Sequence, residues 1–551
     1  MPVIEREGPN INSKKRKMAA ATTTPPVPVT LLSGFLGAGK TTLLKHILEQ
    51  TRSDSNASSP SGQANKKQTA KKVAVLVNDM AEVNIDASLV KGNKLVQREE
   101  KMVELHNGCI CCTLREDLIK ELAGLAKDGR FDAIVIESTG VSDPIEVAET
   151  FSVELNEDDE HSKAPDDWER NSLVAALGGK ASLNEVAKLD TCVTVVDCAS
   201  FDVDLTSAAE LRERFEGSAE PDDERSVAPL FMSQVEFADV IVLSKVDLVS
   251  NTVANDVESA VRALNPGAQV IRATRGVVPL DSVLCTGLFD MDKASDSPGW
   301  LKTMRGETVV PETEVYGIGS FVYKARTPFH PARFMDFLDK HFILKLMSSG
   351  EEGDEGPEEE QNGGQMQGCE DGTCADDDAY NTPAEREQEA KLRTQHTREE
   401  FGNVMRSKGY IWLAGRDDLV GEWSQAGVMG EFTCSGPWMA HVPEDDWPEE
   451  GTDAYDDVMK DFAGPEIQDR RQEIVFIGQN LRQDAIVSAL DACLINASDL
   501  RRRGRSAHDP NDGGEHAWKF GVNYLEDPFP RWPTLSNFMT EEEEDGEEGE
   551  E

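Results

Sequence analysis

Eight consecutive residues, Gly34-Phe35-Leu36-Gly37-Ala38-Gly39-Lys40-Thr41, carry the clearest chemistry in the sequence. Glycines at this spacing let the backbone fold into a ring of N–H donors around phosphate oxygens, and a helix starting at the lysine adds its positive N-terminal end. Lys40 would reach the β- and γ-phosphates of a nucleotide, and the Thr41 hydroxyl would sit on Mg²⁺. The pattern is a complete P-loop. Its flanks agree with that reading: the β-branched apolar run Val27–Ser33 predicts a strand just before the loop, and residues 41–50 predict a helix just after it.

Two more segments place polar groups at the ends of apolar runs. Ile134-Val135-Ile136-Glu137-Ser138-Thr139-Gly140 ends a predicted strand in an acid. Beside a P-loop strand, such a carboxylate holds the metal through water and orients the attacking water, while Gly140 lets its N–H approach the γ-phosphate. A capped turn is the blander alternative. Ser244-Lys245-Val246-Asp247 follows the run 240–243 and resembles the guanine-reading motif Asn-Lys-x-Asp. The Asp247 carboxylate would accept both N–H groups on guanine's Watson–Crick side, which adenine does not offer, and the Lys245 stem would pack on the base. Serine in place of asparagine at 244 weakens one polar contact. Together the segments make GTP with Mg²⁺ the expected nucleotide, and Lys40, Thr41 and Glu137 the expected catalytic set.

Cys109-Ile110-Cys111-Cys112 packs three thiols into four residues, too tightly for a finger whose ligands come in two separated pairs. Three thiolates on one loop take three corners of a tetrahedral zinc or copper(I) site and leave the fourth to a mobile ligand, for which Glu82 and His106 are candidates. A redox pair or buried small hydrophobes are the alternatives. The cluster falls between the strands predicted at Val73–Val77 and 133–136, where switch elements of P-loop GTPases lie.

The elements that must position these groups are predicted by periodicity. Apolar strand-like runs at Val27–Ser33, Val73–Val77, 133–136, 193–196 and 240–243 alternate with helical segments, including 114–126 and 253–264. Continuous apolar strands alternating with helices predict a parallel sheet covered on both faces, an α/β domain. Acidic residues 154–169 read as a loop within it. Beyond residue 314 the pattern predicts strands at 315–323, 410–413 and 474–477 and helices at 331–346 and 484–494, a smaller α+β domain. The expected organisation is a disordered segment 1–26, a nucleotide-binding domain 27–300, a second domain 310–500 split by a disordered acidic insertion 348–390, and an extension 501–551 with an acidic tail.

Composition narrows the partners. The 551 residues carry a formal net charge of −47, and the tail 541–551 has no positive charge. Such a surface disfavours nucleic acid and anionic membrane. No run approaches the roughly 20 apolar residues of a membrane span, and the first 20 residues hold no apolar signal core. Ten cysteines in this pattern suit metal binding in a reducing compartment better than disulfides. The expectation is a cytoplasmic protein, with a nuclear address left open by Lys14-Lys15-Arg16-Lys17.

Taken together, the P-loop, the stretch Asn78-Asp79-Met80-Ala81-Glu82-Val83-Asn84-Ile85-Asp86, the Cys109–Cys112 cluster, the Glu137 turn and Ser244-Lys245-Val246-Asp247 resemble the CobW family of metal-handling GTPases. Ser320-Phe321-Val322-Tyr323 and Gly409-Tyr410-Ile411-Trp412 resemble that family's C-terminal domain. The resemblance implies a GTP-hydrolysing metallochaperone that binds Zn²⁺ or a similar transition metal and passes it to a client metalloprotein. It also implies nucleotide contacts near Cys112, Thr113, Leu114, Arg115 and Glu116. The chain departs from the family at Asp79, where glutamate is usual, at Ser244, and in lacking an N-terminal Cys-Pro-x-Leu-Val-Pro segment, so the sequence names no client and no oligomeric state.

Two other readings stand beside this one: a nucleotide-responsive metal sensor or buffer, and a P-loop ATPase with a structural metal. Cys369 and Cys374 in the acidic insertion are an auxiliary metal arm or incidental, and His330 reads as a helix-start residue.

Overall fold

The computed structural model describes residues 25–56, 71–77, 102–104, 115–152, 167–215, 223, 225–290, 317–346, 382–496, 499 and 525–538. In the first half, strands β1 (Val27–Ser33), β2 (Val73–Val77), β3 (Met102–Glu104), β4 (Ala133–Glu137), β5 (Ala187–Asp197), β6 (Val240–Ser244) and β7 (Gln269–Arg272) form one sheet in the order β3-β2-β4-β1-β5-β6-β7. Every pairing in it is parallel. Helices α1 (Lys40–Asn56), α2 (Arg115–Asp128), α3 (Pro144–Ser152), α4 (Asp167–Leu177), α5 (Phe201–Leu205), α6 (Val227–Glu236) and α7 (Asn251–Leu264) accompany it.

The apolar runs are continuous because both faces of this sheet are buried. Alternate residues of one strand serve different cores. Ile134 and Ile136 of β4 pack with Leu118, Leu122, Val147, Phe151 and Leu173 from α2, α3 and α4. Ala133 and Val135 face the other way and pack with Leu43, Leu44 and Ile47 of α1. β1 and β2 have the predicted bounds, whereas β5 runs well beyond the predicted 193–196 and β7 is an addition at the sheet edge. The acidic stretch 154–169 is not all loop, since α4 begins at Asp167.

The second half is a mixed sheet built from β8 (Ile318–Ala325), β9 (Ile343–Leu346), β10 (Asn403–Ile411), β11 (Leu419–Ala426), β12 (Met429–Pro437) and β13 (Gln472–Gln479), in the order β8-β13-β10-β11-β12-β9. Helices α8 (Pro331–His341), α9 (Pro383–Phe401) and α10 (Gln483–Cys493) pack beside it. Two expectations are corrected here. The helix predicted over 331–346 stops at His341: Phe342 takes an extended conformation (φ −132°, ψ 153°), and Ile343–Leu346 then pairs in parallel with Met429–Phe432 of β12. The insertion predicted as disordered over 348–390 ends earlier, because α9 starts at Pro383 behind a capping box between Thr382 and Glu385 and buries Ala390. Residues 348–381 lie outside the described residues.

The two sheets meet through α6 and α7. Leu230, Phe231, Val257 and Val261 pack against Met405, Ala426, Val475 and Ile477 in one cluster. At its margin Arg406 of β10 forms a two-pronged pair with Glu236 at the end of α6, at 2.8 and 3.1 Å. The β11–β12 turn approaches the first half so closely that a Cβ on Gly427 (φ +58°) would meet Leu205 O at 1.7 Å. A segment near the C-terminus folds back on the second sheet, with Phe529 buried beside Phe432 and Arg416 donating to the carbonyls of Phe529 and Pro530. Among the described residues no helix is long and apolar enough to cross a membrane.

Candidate nucleotide site

In an open parallel sheet, ligands bind beyond the carboxyl ends of the strands. Pairing registers bring the predicted groups to that edge. Glu137 pairs with Leu32, one residue short of the end of β1, and Ser244 pairs with Asp197 at the end of β5.

The loop leaving β1 turns with three glycines at positive φ, Gly34 (126°), Gly37 (75°) and Gly39 (108°). At Gly34 the requirement is spatial as well, since a Cβ there would lie 2.3 Å from Val195 O. Lys40 is buried, and its Nζ donates to Gly34 O at 2.7 Å and Phe35 O at 3.2 Å, so the amine is held against the loop it would serve. The Thr41 hydroxyl donates to Glu137 Oε1 at 2.7 Å. A hydroxyl and a carboxylate that is 2% exposed, side by side under a glycine loop, form an all-oxygen donor set that fits Mg²⁺.

The turn after β4 lies directly on the P-loop. A Cβ on Gly140 would fall 2.3 Å from Leu36 N, so only glycine permits this approach. The turn is tied down on its other side, where Gln234 Nε2 of α6 donates to Ser142 O at 3.1 Å. Next to it, burial pushes the Asp143 carboxyl above its ordinary range, against hydrogen bonds from Ile145 N and Ser233 Oγ.

Ser244 is turned inward rather than out toward solvent. Its hydroxyl reaches Ala38 O at 2.6 Å and Val196 O at 3.2 Å, joining β6 to the middle of the P-loop. Lys245 follows at positive φ (52°), and its Nζ donates to Asp197 Oδ2 at 2.6 Å. Val246 is half-buried and Asp247 is exposed at the same edge. Asp197 was not among the predicted residues, although an acid closing the apolar run 193–196 is the same signal that identified Glu137. The loop after β7 was also missed; a Cβ on its Gly276 would lie 3.0 Å from Leu43 N, in the first turn of α1.

Glu82, Cys109, Cys111, Cys112, Thr113 and Leu114 lie outside the described residues, as do His106, Cys369 and Cys374. Arg115 and Glu116 open α2. The described cysteines, Cys192, Cys198, Cys285, Cys434 and Cys493, are dispersed over both halves of the chain. Burial, helped by the charge of Asp197, pushes the Cys198 thiol up to about 11, so it stays protonated beside the nucleotide edge. His330 is the N-cap of α8, as expected of a helix-start residue.

Residues 28–165 and 169–272 match the CobW/HypB/UreG nucleotide-binding domain, and residues 382–494 match the cobalamin synthesis protein cobW C-terminal domain. The second match begins at α9, yet β8 and β9, which precede it, belong to the same sheet. The chain is 37% identical over 483 residues to the zinc-regulated GTPase metalloprotein activator 1 of Dictyostelium discoideum, spanning 86% of this chain and 81% of that protein. It is 32% identical over 269 residues to the protein of the same name from Schizosaccharomyces pombe, with 48% and 49% of the two chains covered. Against the zinc chaperone CobW of a Sinorhizobium species it is 28% identical over 333 residues, covering 58% of this chain and 80% of that one.

Proposed function

Because the chain belongs to the CobW family, we propose that it is a GTP-hydrolysing metallochaperone that takes zinc as cargo and releases it to a client metalloprotein according to its nucleotide state. The observation that carries the nucleotide half is the convergence of three separate segments on one strand edge: Lys40 and Thr41, Glu137 at 2.7 Å from the threonine hydroxyl, and Ser244 bonded to the P-loop at 2.6 Å. In this reading the loop N–H groups of residues 34–41 and Lys40 bind the phosphates, while Thr41 and Glu137 hold Mg²⁺, which supplies charge neutralisation on the phosphates. Gly140 presents its N–H toward the γ-phosphate, and Asp247 selects guanine. Arg115 and Glu116, opening α2, complete the proposed nucleotide contacts together with Cys112, Thr113 and Leu114.

The cargo site is Cys109, Cys111 and Cys112, with Glu82 as the fourth ligand. The names of the relatives, zinc-regulated activators and zinc chaperones, support zinc over copper. Thiolate ligands require deprotonation, so loading releases protons and tightens as pH rises. Position in the chain supports coupling, since the cluster lies between β2 and β4, and β4 carries Glu137.

The test has two arms. Asp247→Asn should lower GTP use and leave ATP use unchanged, and a wild-type enzyme that hydrolyses both nucleotides equally would remove the guanine assignment. Zinc affinity, read against a competing chelator, should differ about 5- to 150-fold between a non-hydrolysable GTP analogue and GDP, the range typical of linked sites. Equal affinity in the two states would reduce the cysteine cluster to a structural site.

A further inference from the structure

We propose that the C-terminal half carries a second transition-metal site, formed by His341, His396 and Glu400. These residues each offer one ligand atom, and the three atoms lie within 4.8 Å of one another. His341 closes α8 and is 2% exposed, while His396 and Glu400 stand four residues apart on α9 and so share one helix face. Nε2 of His396 lies 3.3 Å from Glu400 Oε2, and Nε2 of His341 lies 4.0 Å from the same oxygen.

The hydrogen bonds around His341 determine which nitrogen faces the cluster. The Thr397 hydroxyl donates to the His341 carbonyl at 3.2 Å, which leaves its oxygen to accept from His341 Nδ1, also at 3.2 Å. With the ring proton on Nδ1, the lone pair is on Nε2, the atom turned toward His396 and Glu400. Metal-bound histidines are held in this way, by a partner on the nitrogen away from the ion. Packing against Phe401 and Phe337 explains why the His341 ring is buried. It does not explain why His396 stacks on it at 5.2 Å with its own Nε2 buried and without a hydrogen-bond partner among the described residues.

Two imidazoles and a carboxylate suit zinc and related divalent transition metals, and three protein ligands leave a fourth position for water or an incoming ligand. Tetrahedral zinc with bonds of about 2.0–2.1 Å needs ligand atoms about 3.4 Å apart. Two of the three ligands that must close to that spacing, His396 and Glu400, have side chains 43% and 36% exposed. One competitor is present: Lys340 Nζ sits on Glu400 Oε2 at 2.8 Å. Its side chain is 51% exposed and is free to swing into solvent. The site would also reach the nucleotide-binding half, because α9 is the helix whose Glu387 accepts from Ser207 at 2.9 Å and whose Arg386 pairs with Glu210 and Glu213.

The site shares no residue with the cysteine cluster, and the experiment separates them. The full-length chain with Cys109, Cys111, Cys112, Cys369 and Cys374 changed to serine is titrated with Zn²⁺ against a chromophoric chelator, and with Co²⁺ by visible absorption. One zinc per chain is expected, with cobalt bands of a nitrogen–oxygen site and no sulfur charge transfer. His396→Ala and Glu400→Gln, both at half-exposed positions and checked by thermal melts, should each weaken zinc at least about tenfold, the loss that even outer partners of a metal cost. Lys340→Ala should tighten it by removing the competing cation. Parent-like zinc affinity in both His396→Ala and Glu400→Gln, or no zinc bound by the five-serine chain, would overturn the proposal.

Discussion

Ser244 stands where a guanine-reading motif has asparagine, and the obvious expectation is a weaker base contact. Its hydrogen bonds run the other way, to Ala38 O and Val196 O, so the hydroxyl shapes the phosphate loop from beneath. Asp247, by contrast, is exposed at the strand edge. The two residues therefore separate by experiment. Ser244→Ala leaves the buried Ala38 carbonyl short of a donor, which costs about 1–3 kcal/mol. It should weaken GTP and ATP binding by similar factors, because it acts on the loop that both nucleotides share. Isothermal titration with both nucleotides checks this, and a loss confined to GTP would mean that Ser244 touches the base.

At the scale of elements, α9 is the helix that the composition of its surroundings concealed. Its N-terminal turn carries the Thr382–Glu385 capping box, the Arg386 pairs to Glu210 and Glu213, and the Glu387 bond to Ser207, and Ala390 is buried below them. Deleting residues 382–390 should accordingly lower the melting temperature by several degrees, whereas deleting 348–381 keeps every one of these contacts and should not; differential scanning calorimetry of the two deletions decides. A pH effect belongs to β13. Burial pushes the Glu473 carboxyl up, but hydrogen bonds from Lys324 and Arg471, both at 2.6 Å, outweigh it and hold the group below its usual value of 4.5. A depressed folded-state pKa contributes stability that is present above the unfolded value and lost as pH falls through the folded one. Glu473→Gln should therefore be less stable than wild type at pH 7, with the gap closing below about pH 4.5 in thermal melts.

For the whole molecule, the question is how rigidly the two halves are joined. The Arg406–Glu236 pair links β10 to α6 with side chains only 8% and 13% exposed, next to an apolar cluster drawn from both halves. Removing one partner of a buried pair strands the other charge and costs about 3–5 kcal/mol. Arg406→Ala should therefore destabilise strongly, and Arg406→Ala combined with Glu236→Gln should cost clearly less than the sum of the single changes. Urea denaturation of the three variants measures this. If the singles add, the pair does not couple the halves.

The sequence alone determined the parallel sheet and the nucleotide edge, since each relevant group lies within a few residues of a strand end and the motif is contiguous. Gly34 through Thr41 needs nothing distant to be recognised, and runs buried on both faces, such as Val27–Ser33 and Val73–Val77, declare themselves by hydrophobicity alone. Tertiary structure decided what depends on a remote partner. Ile343–Leu346 is a strand because β12 lies beside it, and locally its apolar residues continue a helical pattern just as well. Residues 383–390 start behind a local capping box, but it is Ser207, Glu210 and Glu213 that hold them to the first half, in a stretch whose charge alone reads as solvated. Asp197 and Lys245 meet only through the pairing of β5 with β6. The cluster of His341, His396 and Glu400 is the clearest case: its ligands sit on two helices separated by a long acidic stretch, and only the packing of α8 on α9 brings them within reach of one ion.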